Sequence, residues 1–166
     1  MALTDRKPTG LLRGLLRAPI WLYRARLGWV AGHRLLYIAH RGRRTGARRE
    51  VVVEVVRYRR EVPEVVVVAA WGKNPDWYRN LRVAPALEVR IGAQRWQRPH
   101  HRFLDDAETL RVLHTYQRAH PHAWKRIAPV LGFPRDLADP RWSEVVGSVR
   151  AIAFTPQRAS GDVHHG

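Results

Sequence analysis

The chain contains no cysteine, and serine occurs only at Ser143, Ser148 and Ser160. The first absence excludes disulfides, thiolate nucleophiles and cysteine-ligated zinc or iron–sulfur centres, and it suits a reducing, cytoplasmic address. The second leaves no Gly-x-Ser-x-Gly elbow for a serine hydrolase. No GxGxxG opens a helix after a strand, and no Walker-type loop is present. No uncharged run approaches the roughly 20 residues of a spanning helix, and the N-terminus lacks a signal-peptide core and cleavage site. Nine histidines are present, but none form His-x-x-x-His on a helix and no matched carboxylate set accompanies them, so no metal is expected.

Negative charge is also scarce. Fourteen acidic residues face thirty basic ones, for a formal net charge of +16, and nearly all the positive charge is arginine. Arginine suits planar recognition of phosphate and carboxylate, so the expected partners are acidic. Nucleic acid lacks a recognition motif here and is set aside.

The 166 residues suit one domain, expected over 1–156, with 157–166 a disordered tail lacking apolar periodicity. Strands are expected at Leu35–His40, Glu50–Tyr58, Glu64–Ala70, Ala86–Ile91, Gln94–Phe103 and Val149–Phe154, short and valine-rich or alternating in polarity. Tight turns between such strands point to an antiparallel barrel, and the intervening helices make the class α+β. Asp105 with Glu108 three residues on forms a capping box for a helix over Asp106–His120, and another helical piece is expected across Ala123–Leu131. Near the N-terminus, Leu11–Arg17 and Pro19–Ala31 read as a basic amphipathic segment. It would either cap the barrel with its apolar side or lie on an anionic membrane surface.

Two motifs carry chemistry. Gly42-Arg43-Arg44-Thr45-Gly46-Ala47-Arg48-Arg49 is a glycine-punctuated basic turn between two strands. Its glycines let main-chain N–H groups converge while arginines reach the same point, so it is suited to phosphate or carboxylate, although the same residues would also serve as a solvated turn. The second is Trp71-Gly72-Lys73-Asn74-Pro75-Asp76-Trp77-Tyr78-Arg79-Asn80-Leu81, in which Asn74 is the expected N-cap and Pro75 the first helical residue.

In this order, and with Ala84-Pro85 before the next strand, the motifs resemble the deazaflavin-dependent nitroreductase family, split β-barrel reductases and quinone reductases that use coenzyme F-420. The resemblance covers about residues 15–132. It implies a split antiparallel β-barrel of the FMN-binding type with flanking helices. It further implies that Arg43, Arg44 and Arg49, with Thr45 and Gly46, hold the cofactor's phosphate, Arg49 rather than Arg48 taking the last arginine position. The deazaflavin ring would lie along Val68, Ala69, Ala70, Trp71 and Gly72 and near Trp77, with Lys73 adding a cation; FMN is the less favoured cofactor. Tyr116 and His120 are the candidate proton donors. The activity implied is hydride transfer from reduced F-420 to a small hydrophobic acceptor such as a quinone, nitro compound or enone, and the homodimer is a common state of related barrels. Trp71 departs from the small residues that nitroimidazole-reducing members carry. The alternative is a membrane-associated, non-catalytic barrel that binds lipid or fatty acid.

Overall fold

The computed structural model describes residues 32–69 and 74–157. The expected N-terminal helical segments, Ala70–Lys73 and the tail from residue 158 lie outside them. Among the described residues, β1 (Leu35–Arg41), β2 (Arg48–Arg59), β3 (Glu64–Ala69), β4 (Glu88–Ile91), β5 (Gln94–Gln97), β6 (His100–Phe103) and β7 (Arg150–Thr155) form one antiparallel sheet in the order β5-β4-β1-β2-β3-β7-β6. The helices are α1 (Asp76–Leu81), α2 (Asp106–Ala119), α3 (Pro121–Leu131) and α4 (Trp142–Val146).

β5 and β6 are opposite edges of this sheet, yet only Arg98 and Pro99 separate them. So short a link spans about 10 Å at most, and the sheet must curl until its edges nearly meet. That curl is the split β-barrel. β2 makes it possible by serving two partners: its residues from Arg48 to Glu54 pair with β1, those from Val55 to Arg59 pair with β3, and the register shifts between Val55 and Arg57. A bulge bends its strand and raises the local twist. Val55 consequently packs inside the barrel while Val56 packs toward the helices.

The single strand expected over Gln94–Phe103 is corrected to two four-residue strands. Arg98 stands at φ 44°, and Pro99 has no N–H to continue a ladder. The short α4 was not anticipated. The first helix also begins later than expected. Pro75 occupies the N-cap without a side-chain cap, and Asn74 lies one residue outside.

Leu36, Ile38, Val65, Val67, Val89, Ile91, Ile152 and Phe154 fill the barrel, and Tyr78 and Leu81 of α1 plug its end. Burying each aliphatic side chain here contributes about 1.5–3 kcal/mol. On the other face, Leu113 and Tyr116 of α2, Trp124 of α3 and Trp142 of α4 form a second core against Val56 and Val68. Asp105 caps α2 by accepting from the Glu108 N–H at 2.7 Å. The reciprocal half of the capping box is missing, because the Glu108 carboxylate accepts both Arg102 NH groups at 2.6 Å. Among the described residues no helix is long and apolar enough to cross a membrane.

Candidate functional site

The basic turn and α1 come together at the end of the barrel that Tyr78 and Leu81 fill. Gly42 N–H donates to Ala47 O and Gly46 N–H to Gly42 O, each at 2.8 Å. Gly46 takes φ +67°, a region costly for residues with a Cβ, and a Cβ on Gly42 would meet Thr45 Oγ1 at 3.2 Å. α1 packs beside this turn. Arg43 donates from its main-chain N–H and from one guanidinium NH to Asn80 Oδ1, both at 3.1 Å, and pairs with Asp76 Oδ1 at 3.1 Å. Between them lies a cleft of about 540 Å³, lined by His40, Arg43, Arg44, Arg49, Trp77 and Asn80 among others.

The arginines of the turn are not equivalent. Arg43 ties the turn to α1. Arg48 turns to the far face of β2, where it donates to Tyr37 Oη at 3.3 Å and lies 3.6 Å from Glu50 Oε1 and 3.9 Å from the buried Glu88. Arg49 pairs across the ladder with His40, so it shares His40's face and lines the cleft. Arg44 and Arg49 are exposed and make no hydrogen bond or ion pair among the described residues. Two unpaired guanidiniums beside a glycine turn form a donor set suited to a phosphate or carboxylate. Thr45 turns its Oγ1 back to accept from Ala47 N–H at 3.3 Å.

Trp77 lines this cleft while its neighbour Tyr78 is buried in the barrel core. Ala69 packs inside the barrel with Trp77, and Val68 packs on the opposite face with the cluster holding Tyr116. The end of β3 thus touches both faces where β2 and β3 part. Ala70, Trp71, Gly72 and Lys73 follow and lie outside the described residues.

Tyr116 and His120 belong to a different cleft. It measures about 630 Å³ and is lined by His33, Arg34, Glu54, Val56, Tyr116, His120 and neighbouring residues. Glu54 is five residues beyond Arg49 on β2, about 17 Å along the strand, and on the opposite face. Tyr116, 7% exposed, donates its hydroxyl to Glu54 Oε1 at 2.6 Å. Burial, then that carboxylate, raises the tyrosine above its usual pKa of 10, so it stays protonated. Pro121 breaks the chain into α2 and α3 without separating the face: the Tyr116 ring lies 4.9 Å from that of His120 and 6.4 Å from that of Trp124. The His120 ring nitrogens make no hydrogen bond among the described residues. Among those residues no cluster of three or more His, Asp or Glu could hold a metal ion.

Sequence reasoning missed Glu54, Asn80 and His40. Asn80 sat inside a quoted motif. Glu54 is 62 residues from Tyr116, and no local pattern announces the pair.

The fold is a split barrel, and at its end a glycine turn presents two arginines that are unpaired among the described residues. Residues 15–127 match the model of the F420H(2)-dependent quinone reductase family, and the chain belongs to that family, whose members use reduced F-420. Among solved structures it is similar to an F420-H2 dependent reductase, FDR-A, at 18% identity, covering 74% of this chain and 95% of that one, with a TM-score of 0.43. It is similar to a domain-swapped dimer at 17% identity, covering 82% and 99%, with a TM-score of 0.44. A third similarity is to a pyridoxamine 5'-phosphate oxidase-related, FMN binding protein from Nostoc punctiforme, at 11% identity over 92% and 82% of the chains and a TM-score of 0.41. A search of curated proteins found no match.

Proposed function

We propose that this chain is an F-420-dependent oxidoreductase that binds the cofactor's phosphate at Arg44 and Arg49 and reduces a small hydrophobic acceptor, a quinone, nitro compound or enone. The observation that carries this reading is the pair of unpaired arginines at a glycine turn, in a chain of the F420H(2)-dependent quinone reductase family. Thr45, Gly46 and Arg43 complete the turn, with Arg43 acting chiefly by fixing it to α1. The reduced cofactor supplies the hydride equivalent, so the protein's task is to bind, orient and exclude water. Trp77, and Val68 and Ala69 at the parting of β2 and β3, would flank the ring, with Ala70, Trp71, Gly72 and Lys73 completing its bed.

The second cleft is the proposed acceptor side. Its protonated Tyr116 is already committed to Glu54, which leaves His120, whose ring nitrogens make no hydrogen bond among the described residues, as the group free to deliver a proton. Tyr116 then positions the His120 ring. A fluorescence titration of the purified protein with F-420, followed by oxidation of reduced F-420 in the presence of menadione, tests the reading: saturable binding and acceptor-dependent oxidation are expected. No binding would remove it and favour the lipid-binding alternative, whose basic N-terminal segment lies outside the described residues.

A further inference from the structure

Asn80 and His40 meet at the floor of the basic cleft, 5% and 3% exposed, and their hydrogen bonds leave no freedom in who donates. The main-chain N–H and guanidinium of Arg43 can only donate, so the atom they meet at 3.1 Å is the oxygen of the Asn80 amide. The amide NH2 therefore points at His40 Nδ1, 3.2 Å away. An NH2 group cannot accept. Nδ1 must hold a lone pair, and the single proton of the neutral ring sits on Nε2.

We infer that Asn80, held by neutral His40, is the positioning residue of the anion turn, fixing Arg43 and through it the main chain that aims Arg44 at the ligand. This rests on the reading of the turn as the phosphate site. Its consequence runs against simple electrostatics. A proton on His40 Nδ1 would set two donors face to face, so the amide would have to rotate and release Arg43. Gaining a positive charge beside the cleft would weaken anion binding. Burial first, then the Arg49 guanidinium on β2, hold His40 below its ordinary value of 6.5, against the pull of a backbone hydrogen bond at Arg41 and of Asp76 on α1. Neutral His40 is thus the state at neutral pH.

The test is F-420 fluorescence titration at constant ionic strength, at pH ~7.5 and ~5.5, which bracket the histidine range, for wild type, Asn80→Ala and His40→Gln. Asn80→Ala should bind roughly tenfold more weakly at the higher pH, the scale of a lost hydrogen bond to a charged group. Wild type should weaken on acidification more than His40→Gln, which keeps an acceptor for Asn80 and cannot titrate. A merely structural Asn80 would lower the melting temperature of its variant without separating those two pH responses. Nitrogen NMR of the wild-type imidazole should show the proton on Nε2. A proton on Nδ1, an Asn80→Ala variant that binds like wild type, or identical acid responses in wild type and His40→Gln would overturn the inference. Absence of F-420 binding by wild type would instead overturn the phosphate reading, and this inference with it.

Discussion

The two clefts sit on opposite faces of one strand and are built on opposite plans. At the barrel end, a contiguous turn and a six-residue helix leave Arg44 and Arg49 without partners among the described residues. Under α2 and α3, the buried hydroxyl of Tyr116 is matched inside the protein by Glu54 at 2.6 Å, and the ring of His33 stacks 4.6 Å from that of Tyr58. Unpaired charge kept at a surface attracts opposite charge, whereas a hydroxyl satisfied internally is withdrawn from any guest. Arg48 and Arg49 state the contrast in two adjacent residues. One is drawn to Glu50 and Glu88 on the far face, and the other lines the basic cleft.

The largest expected effect breaks the first cleft. Arg44→Ala and Arg49→Ala should each weaken F-420 binding by about 1.5–3 kcal/mol, the range for hydrogen bonds to charged groups, and Arg48→Ala by less. Isothermal titration against wild type measures all three. Equal losses at Arg48 and Arg49 would mean that the face of β2 does not decide the ligand contact.

The second cleft should respond in rate rather than in cofactor affinity. His120→Ala is expected to lower menadione-dependent turnover by roughly a hundredfold, the low end for a positioned proton donor, with F-420 affinity within about twofold of wild type. Tyr116→Phe should lower turnover less, because its hydroxyl is already engaged in donating to Glu54. Steady-state kinetics beside the binding titration separate the two. If Tyr116→Phe proves the more damaging, the tyrosine leaves Glu54 during the reaction and is itself the donor.

What could be read from the sequence follows the range of each interaction. The turn is local: two glycines and a run of arginines between valine-rich strands specify it, and the structure supplies only which arginine faces which way. The β2 strand was placed within two residues of its observed start, since its alternation is also local. The break at Arg98–Pro99 was legible in principle, because proline cannot continue a ladder, but the flanking Gln94–Phe103 pattern concealed that the two halves lie on opposite sheet edges. The Tyr116–Glu54 pair and the contact of Arg43 with Asn80, 37 residues apart, are set by tertiary packing alone. Motif spacing brought Asn80 into view without its role, which depends on a buried histidine forty residues away.

The smallest expected effect concerns stability, and it asks whether either cleft is rigid in acid. His40, His101 and His114 are all lowered from 6.5, burial being the largest cause in each, and His114 Nε2 is buried without a hydrogen-bond partner. A histidine whose folded pKa lies below its unfolded value binds protons more readily in the unfolded chain. Stability should therefore be constant above about pH 6.5 and fall as the pH drops below it. The carboxylates act lower down. Glu88, held below its ordinary 4.5 by Arg95 and Arg90 against the opposing effect of burial, and Glu108, held low by Arg102, keep their contribution until the pH falls below that value. Between these ranges the histidines alone set the slope. The melting temperature should decline from about pH 6.5 to 5, and His40→Gln should make the decline shallower by removing one of the three groups. If His40→Gln leaves the slope unchanged while His114→Gln flattens it, the acid-sensitive element is the α4 packing of His114 on Trp142, 5.0 Å between rings, and the barrel-end cleft stays intact in acid.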